Sequence, residues 1–212
     1  MVVVLTGKSC SGKDRVREGL CTNKGYGKLI SYTSRPMRDN EEEGVDYYFI
    51  SKNQMEYIKN SNLLLDYREY KVYNGEIWGY GHRRYNKAYF EFFKDKIYVA
   101  IADLEGARAF KEEYGNNCRV VYIEAPYYQR RARANIRDDN ALEIERRFKQ
   151  DDIDFSNEKL YNIIDFSITN EDGHLGKTID EITNYIEKYK ENNKDDCDSK
   201  YMERMNTNAD SN

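Results

Sequence analysis

"MVVVLTGKSCSGKD", residues 1–14, decides the fold. Val2–Leu5 form a short, nearly continuous apolar run, the pattern of a strand buried on both faces. A loop bracketed by Gly7 and Gly12 follows, and "GKDRVREGLC" opens a helix. A strand, a Gly-x4-Gly-Lys loop and a helix together form a phosphate-binding loop: backbone N–H groups curl round an anion at the positive end of the helix. Lys13 is placed to reach the terminal phosphates, and Lys8, Ser9, Cys10 and Ser11 complete the cradle. The motif asks for Ser or Thr after the lysine, to hold Mg²⁺, but this chain has Asp14. A carboxylate there repels phosphate unless a cation lies between them. With Mg²⁺ present it is a hard oxygen ligand. Asp14 is therefore the candidate metal residue, and the bland alternative is that it only caps the loop.

The chain has 212 residues and a net charge of −4. A mildly acidic whole provides no field for nucleic acid or an anionic membrane. No apolar run approaches the roughly 20 residues of a membrane span. No basic leader precedes the first strand, and the cysteines Cys10, Cys21, Cys118 and Cys197 form no CxxC pair. The expectation is a cytoplasmic protein with reduced thiols, no zinc site and small-molecule partners. Strands and helices alternate along the chain, which predicts an α/β layer architecture around a parallel sheet. "KLISYT", "KIYVAIAD", "CRVVYIEA" and "DFSITN" read as further strands of that pattern. "DYYFIS", "LLLDYREYK" and "EIWGYG" read as a smaller β-rich insertion with the helix "KNQMEYIKN" inside it. "YNKAYFEFFK" and "LEGARAFKEEY" read as helices. The last helix, "LGKTIDEITNYIEKYK", repeats Leu175, Ile179, Ile182 and Ile186 at helical spacing. From Glu191 the text is polar and nearly free of aliphatics, the composition of a disordered tail.

A second motif, "SYTSRPMRDNEEEGVDYYFIS", occupies residues 31–51. Arg35 and Arg38 flank Pro36, and paired guanidiniums on a stiffened loop suit a phosphate dianion. Ser31, Thr33, Ser34, Arg35, Arg38, Glu41, Gly44, Asp46, Tyr47, Phe49 and Ser51 match, position by position, the acceptor motif of guanylate kinases. With the phosphate loop upstream, the chain resembles that family over roughly residues 1–190. The resemblance implies that Ser31 contacts guanine and that Arg35, Arg38 and Tyr47 hold the GMP phosphate, with Glu41 in the same acceptor set. Asp66, in "LLDY", stands where the family has a base-reading Glu. Tyr80-Gly81-His82 best matches its Tyr-Gly-[Ser/Thr] step, so Tyr80 would touch phosphate and His82 would stand at a guanine contact. The adjoining "WGY", with Trp78, offers a competing register. In "AIADLEG", Asp103 matches a carboxylate that reads the base amino group, whereas Ile101 replaces one near the metal. Asp14 and Ile101 then read as a single change, with a carboxylate moved from strand to loop.

The stretch "RRARANIRDDNALEIERRF" is rich in arginine. Interleaved Asp138, Asp139, Glu143 and Glu145 weaken a nucleic-acid reading. A solvated helix with i,i+4 pairs such as Glu143–Arg147 is the plain reading. By the resemblance it is a mobile lid: Arg133, Arg137 and Arg147 close over the ATP phosphates, and Arg130, Arg131 and Arg146 are solvated bystanders. Asn170, in "TNED", lies near the nucleotide. The implied organisation is a three-layer P-loop nucleoside monophosphate kinase: a core of residues 1–30, 83–126 and 142–190, a GMP-binding region over 31–82, a lid over 127–141 and a tail over 191–212. The implied activity is ATP-dependent phosphorylation of GMP or dGMP, with ATP and Mg²⁺ bound. A kinase of another nucleotide or sugar-phosphate acceptor, or a catalytically silent binding module of the same fold, stand as alternatives.

Overall fold

The computed structural model describes residues 1–39, 41–85, 89, 96–136, 140–156 and 162–209, with side chains as far as residue 193. Most of the helix expected over 85–94 lies outside the described residues, as do Arg137, Asp138 and Asp139. Strand β1, Val2–Thr6, is wholly buried and central. Helix α1, Lys13–Lys24, follows the glycine loop and stops at Gly25, whose φ of 71° gives the left-handed turn that ends helices. Then come β2 Gly27–Lys28, β3 Ser31–Thr33, β4 Tyr48–Phe49, α2 Lys52–Asn60, β5 Arg68–Lys71 and β6 Ile77–His82. The second half adds β7 Tyr98–Ile101, α3 Leu104–Tyr114, β8 Cys118–Glu124, α4 Tyr127–Ile136, α5 Ala141–Asp154, β9 Phe166–Thr169 and α6 Leu175–Ala209.

Two sheets result. The larger is parallel throughout, in the order β2-β7-β1-β8-β9. The smaller is mixed, in the order β4-β3-β6-β5. "KLISYT" was expected as one strand, yet the chain changes sheets within it. Gly27–Lys28 pair with β7, Leu29 donates to the Val99 carbonyl at 2.9 Å, and Ser31–Thr33 pair with β4 and β6. A parallel sheet needs a crossover, and this one leads out into the insertion.

The alternation along β1 explains the layers. Val2 and Val4 face one side, against Ala107 and Phe110 of α3. Val3 and Leu5 face the other, against Val16 and Leu20 of α1 and Ile179, Ile182 and Ile186 of α6. Each side chain so buried contributes about 1.5–3 kcal/mol. The apolar stripe of α6 ends at Ile186. α6 runs on to Ala209, and no Gly or Pro after Gly176 interrupts it.

Candidate active site

The phosphate loop is built by close approach. Gly7 has φ +151°, and a Cβ there would lie 2.3 Å from the Ile123 carbonyl oxygen, so only glycine lets the chain leave β1 beside β8. Gly12 has φ +94°, and a Cβ there would lie 2.3 Å from Asn170 Nδ2. Inside the loop, Lys13 Nζ donates to the carbonyls of Gly7 at 2.7 Å and Lys8 at 3.0 Å. Ser11 Oγ is fully buried and has no hydrogen-bond partner among the described residues.

The loop is also held from outside. Asn170 Nδ2 donates to Ser11 O at 2.9 Å. Arg133 donates to Cys10 O at 3.2 Å and Asn170 O at 2.9 Å, and pairs with Asp172 at 2.7 Å. Asp151, 8 % exposed, accepts from the Ser9 amide at 2.8 Å and the Ser9 hydroxyl at 3.0 Å. Lys8 Nζ reaches Asp152 at 2.8 Å. Asn170 and Arg133, two of the expected nucleotide-site residues, thus both bond the backbone of the loop.

In front of the loop lies a cavity of ≈ 480 Å³, walled by the small sheet and α5. Gly7, Ser9, Cys10, Lys13 and Asp14 line one end. Arg35, Arg38, Glu41, Tyr47 and Tyr80 line the acceptor side. Glu41 organises that side. It accepts from Arg35 Nη2 at 2.7 Å and from the Arg38 amide at 2.9 Å, and lies 3.7 Å from Arg38 Nη1. The Arg35 guanidinium, itself buried, stands 5.3 Å from the Tyr47 ring centroid and 5.5 Å from that of Phe49. Burial pushes the Glu41 carboxyl up, but the Arg35 and Arg38 hydrogen bonds more than reverse it. Burial first, and the Asp14 carboxylate second, raise the Tyr47 phenol, so the loop and the acceptor side share one electrostatic environment.

Ser31, Asp66, His82 and Asp103 lie in the same cavity. The pairing of β3 with β6 sets Ser31 opposite His82 and Thr33 opposite Tyr80, and Trp78 lines the wall further along. Asp66 Oδ1 accepts from the His82 amide at 2.6 Å and lies 3.1 Å from its Nδ1. Burial raises the Asp66 carboxyl and the His82 contacts more than offset it, leaving it below the ordinary carboxylate value. Gly106 makes room for this carboxylate, since a Cβ there would lie 2.6 Å from Asp66 Oδ2. Asp103 caps α3 by accepting from the Gly106 amide at 2.7 Å and also accepts from the Tyr70 hydroxyl. Ile101 lines the cavity as an apolar side chain.

The third wall is α5, which contributes Glu143, Arg146, Arg147, Gln150, Asp151 and Asp154. Two expectations are corrected here. Arg146 is part of the cavity wall, bonded to Glu143 at 2.8 Å. Arg130 is 5 % exposed, pairs with Asp151 at 3.3 Å and lies 4.8 Å from the Phe148 ring centroid. The Glu143–Arg147 pair forms at 2.9 Å, but Glu143 is buried, so it is no solvated surface pair. Sequence spacing cannot reveal this, because tertiary contacts decide it: α5 meets the Tyr73 amide of the β5–β6 hairpin and Arg130 of α4.

A parallel sheet in this strand order, with a glycine loop between β1 and α1 and a small second sheet facing it, defines a P-loop nucleoside monophosphate kinase fold. The chain belongs to the guanylate kinase family, whose model matches residues 1–189. It is 25% identical over 200 residues to the guanylate kinase of Chlorobaculum tepidum, covering 89% of this chain and 92% of that one. To the guanylate kinase of Helicobacter hepaticus it is 28% identical over 123 residues, and the match spans 58% of each chain. The crystal structure of guanylate kinase from Anaplasma phagocytophilum superposes with a TM-score of 0.65 at 24% identity, covering 88% of this chain and 84% of that one. Among the described residues no helix is long and apolar enough to cross a membrane.

Proposed function

We propose that this chain transfers the terminal phosphoryl group of ATP to GMP or dGMP, as a cytoplasmic enzyme of purine nucleotide metabolism. The observation that carries the reading is that a single cavity is lined by Gly7, Lys13 and Asp14 of the phosphate loop and by Arg35, Arg38 and Tyr47 of the acceptor motif. Two phosphate-binding sets facing one space suit in-line transfer between two phosphates. The protein's part is then positioning and charge neutralisation, with no protein nucleophile. Lys13 and the backbone amides of the loop hold the donor phosphates. Arg35 and Arg38, spaced by Glu41, hold the acceptor phosphate. Arg147 and Arg146 stand on the third wall, where they offset charge that spreads over the transferring group. Ser31, Asp66 and Asp103 present oxygen acceptors to the N–H groups of guanine, and leaving those acceptors unpaired disfavours adenine strongly.

The donor set suits Mg²⁺ as the companion of ATP. Asp14 stands on the cavity wall with its carboxylate more than half exposed, and a single carboxylate plus phosphate oxygens is how this ion is commonly held. When bound, Mg²⁺ supplies charge neutralisation on the donor phosphates. Among the described residues Cys10, Cys21 and Cys118 are in no disulfide, which fits a reducing compartment.

The test is a coupled ADP-release assay with ATP and a panel of nucleoside and sugar monophosphates. GMP and dGMP are expected to turn over at least tenfold faster than AMP, CMP or UMP. No turnover with any acceptor, with GMP binding retained, would replace the kinase reading by that of a silent binding module.

A further inference from the structure

Glu143 is buried, at 4 % exposure, in the cavity wall. Its two oxygens meet four donors. Oε1 accepts from Arg146 Nη2 at 2.8 Å and Arg147 Nε at 2.9 Å. Oε2 accepts from Arg146 Nε at 3.0 Å and from the backbone N–H of Tyr73 at 3.3 Å. A carboxylate offers about four lone-pair sites, and here all four are used. Three donors belong to α5 itself. The fourth comes from the tip of the β5–β6 hairpin, which belongs to the acceptor sheet.

The consequence is mechanical. Arg146 and Arg147 are adjacent cations, and side by side they repel. Glu143 between them fixes both guanidiniums on the side that faces the cavity. The fourth bond forms only when the hairpin lies against α5. We propose that Glu143 is a positioning residue: it aligns Arg146 and Arg147 on the transferring group when the β5–β6 hairpin docks, so closure of the acceptor sheet and alignment of the arginines are one event. This rests on the phosphate role given to Arg147 above.

The hairpin offers a clean probe. The Gly75 amide donates to Val72 O at 2.9 Å, which makes Val72–Gly75 a β-turn with Tyr73 at its second position. Proline is favoured there, and it removes the backbone N–H without breaking the turn. The Tyr73 side chain is itself half exposed. Tyr73→Pro and Tyr73→Ala therefore differ at that N–H. With ATP and GMP, Tyr73→Pro is expected to lower kcat about three- to tenfold relative to Tyr73→Ala, with the ATP KM and the urea midpoint unchanged. Glu143→Gln, which keeps an acceptor but loses the charge, is expected to lower kcat by about tenfold or more. In amide hydrogen exchange, Glu143→Ala is expected to speed exchange at residues 72–76 about fivefold or more. Equal kcat for the two Tyr73 variants, or unchanged exchange at 72–76, would overturn the latch while leaving the kinase reading intact. A wild-type chain that phosphorylates no monophosphate would overturn the kinase reading, and the catalytic half of this proposal with it.

Discussion

Replacing Asp151 by alanine is expected to remove about 3–5 kcal/mol of folding stability, the cost of breaking a buried ion pair from one side. Its carboxylate accepts from both donors of Ser9, at 2.8 and 3.0 Å, and lies 3.3 Å from Arg130 Nη1. The Arg130 side chain is 6% exposed, and its Nε has no hydrogen-bond partner among the described residues. Without Asp151 the Ser9 carbonyl, at 3.4 Å, is the one hydrogen-bond acceptor left to the guanidinium among the described residues, and the group stays desolvated. The Ser9 amide loses its acceptor too. Replacing both partners with apolar residues is often nearly neutral, so Arg130→Met combined with Asp151→Ala should recover most of the loss. Equilibrium urea denaturation measures this. With a slope of about 2 kcal/mol per molar, Asp151→Ala lowers the midpoint by roughly 1.5–2.5 M and the double variant by less than about 0.7 M. A single-variant shift under about 0.5 M, or a double variant no better than the single, would refute the assignment of Arg130 and Asp151 as a buried, mutually dependent pair.

Gly12→Ala places a Cβ 2.3 Å from Asn170 Nδ2 at φ +94°. Left-handed strain of about 1–2 kcal/mol and a lost bond worth about 1 kcal/mol predict at least tenfold weaker ATP binding, read by calorimetry. Asp14→Ser with Ile101→Asp is expected to exceed Asp14→Ser alone in Mg²⁺-dependent turnover, and equal rates would separate the two positions. Glu41, Asp66 and Glu143 all sit below their ordinary values, each raised by burial and lowered further by its hydrogen-bond donors. A depressed carboxyl contributes stability above its unfolded value and loses it as pH falls. Asp151, raised chiefly by burial, has the opposite sign. The exposed carboxyls Glu18, Glu69 and Asp152 are lowered as well, so the balance predicts a thermal midpoint that declines as pH drops below about 4.3, the ordinary glutamate value. A flat profile from pH 5 to 3 would contradict those environments.

The local parts of this fold are legible in the sequence, and the parts made by packing are not. "MVVVLTGKSCSGKD" carries its own strand, turn and helix, because apolar run, paired glycines and lysine each act within a few residues. The stripe Ile179, Ile182 and Ile186 likewise announces the buried face of α6. By contrast, Glu143, Arg146 and Arg147 have the spacing of any exposed helical ion pair, and only tertiary contact buries Glu143 and half-buries the two arginines. Arg130 misleads for the same reason. Nothing in its neighbours in sequence shows that Asp151, twenty-one residues on, will meet it. That Asn170 and Arg133 also hold the loop, through Ser11 O and Cys10 O, is equally invisible in the sequence, because more than a hundred residues separate the partners. Continuation of α6 past Glu191 follows from the absence of a stop signal, which composition alone understates.

The central place of β1 also sets a timetable for synthesis. Val4 pairs with Ala100 on one side and Val120 on the other, so β1 is flanked by strands made about a hundred residues later. At 5–20 residues per second, roughly 6–24 s separate the emergence of β1 from that of β8. The small sheet, by contrast, draws all its strands from residues 31–82 and is complete shortly before β7 follows and longer before β8. During that interval the nascent chain carries an exposed "VVVL" next to an already folded acceptor region, and this is the window in which a chaperone would hold it.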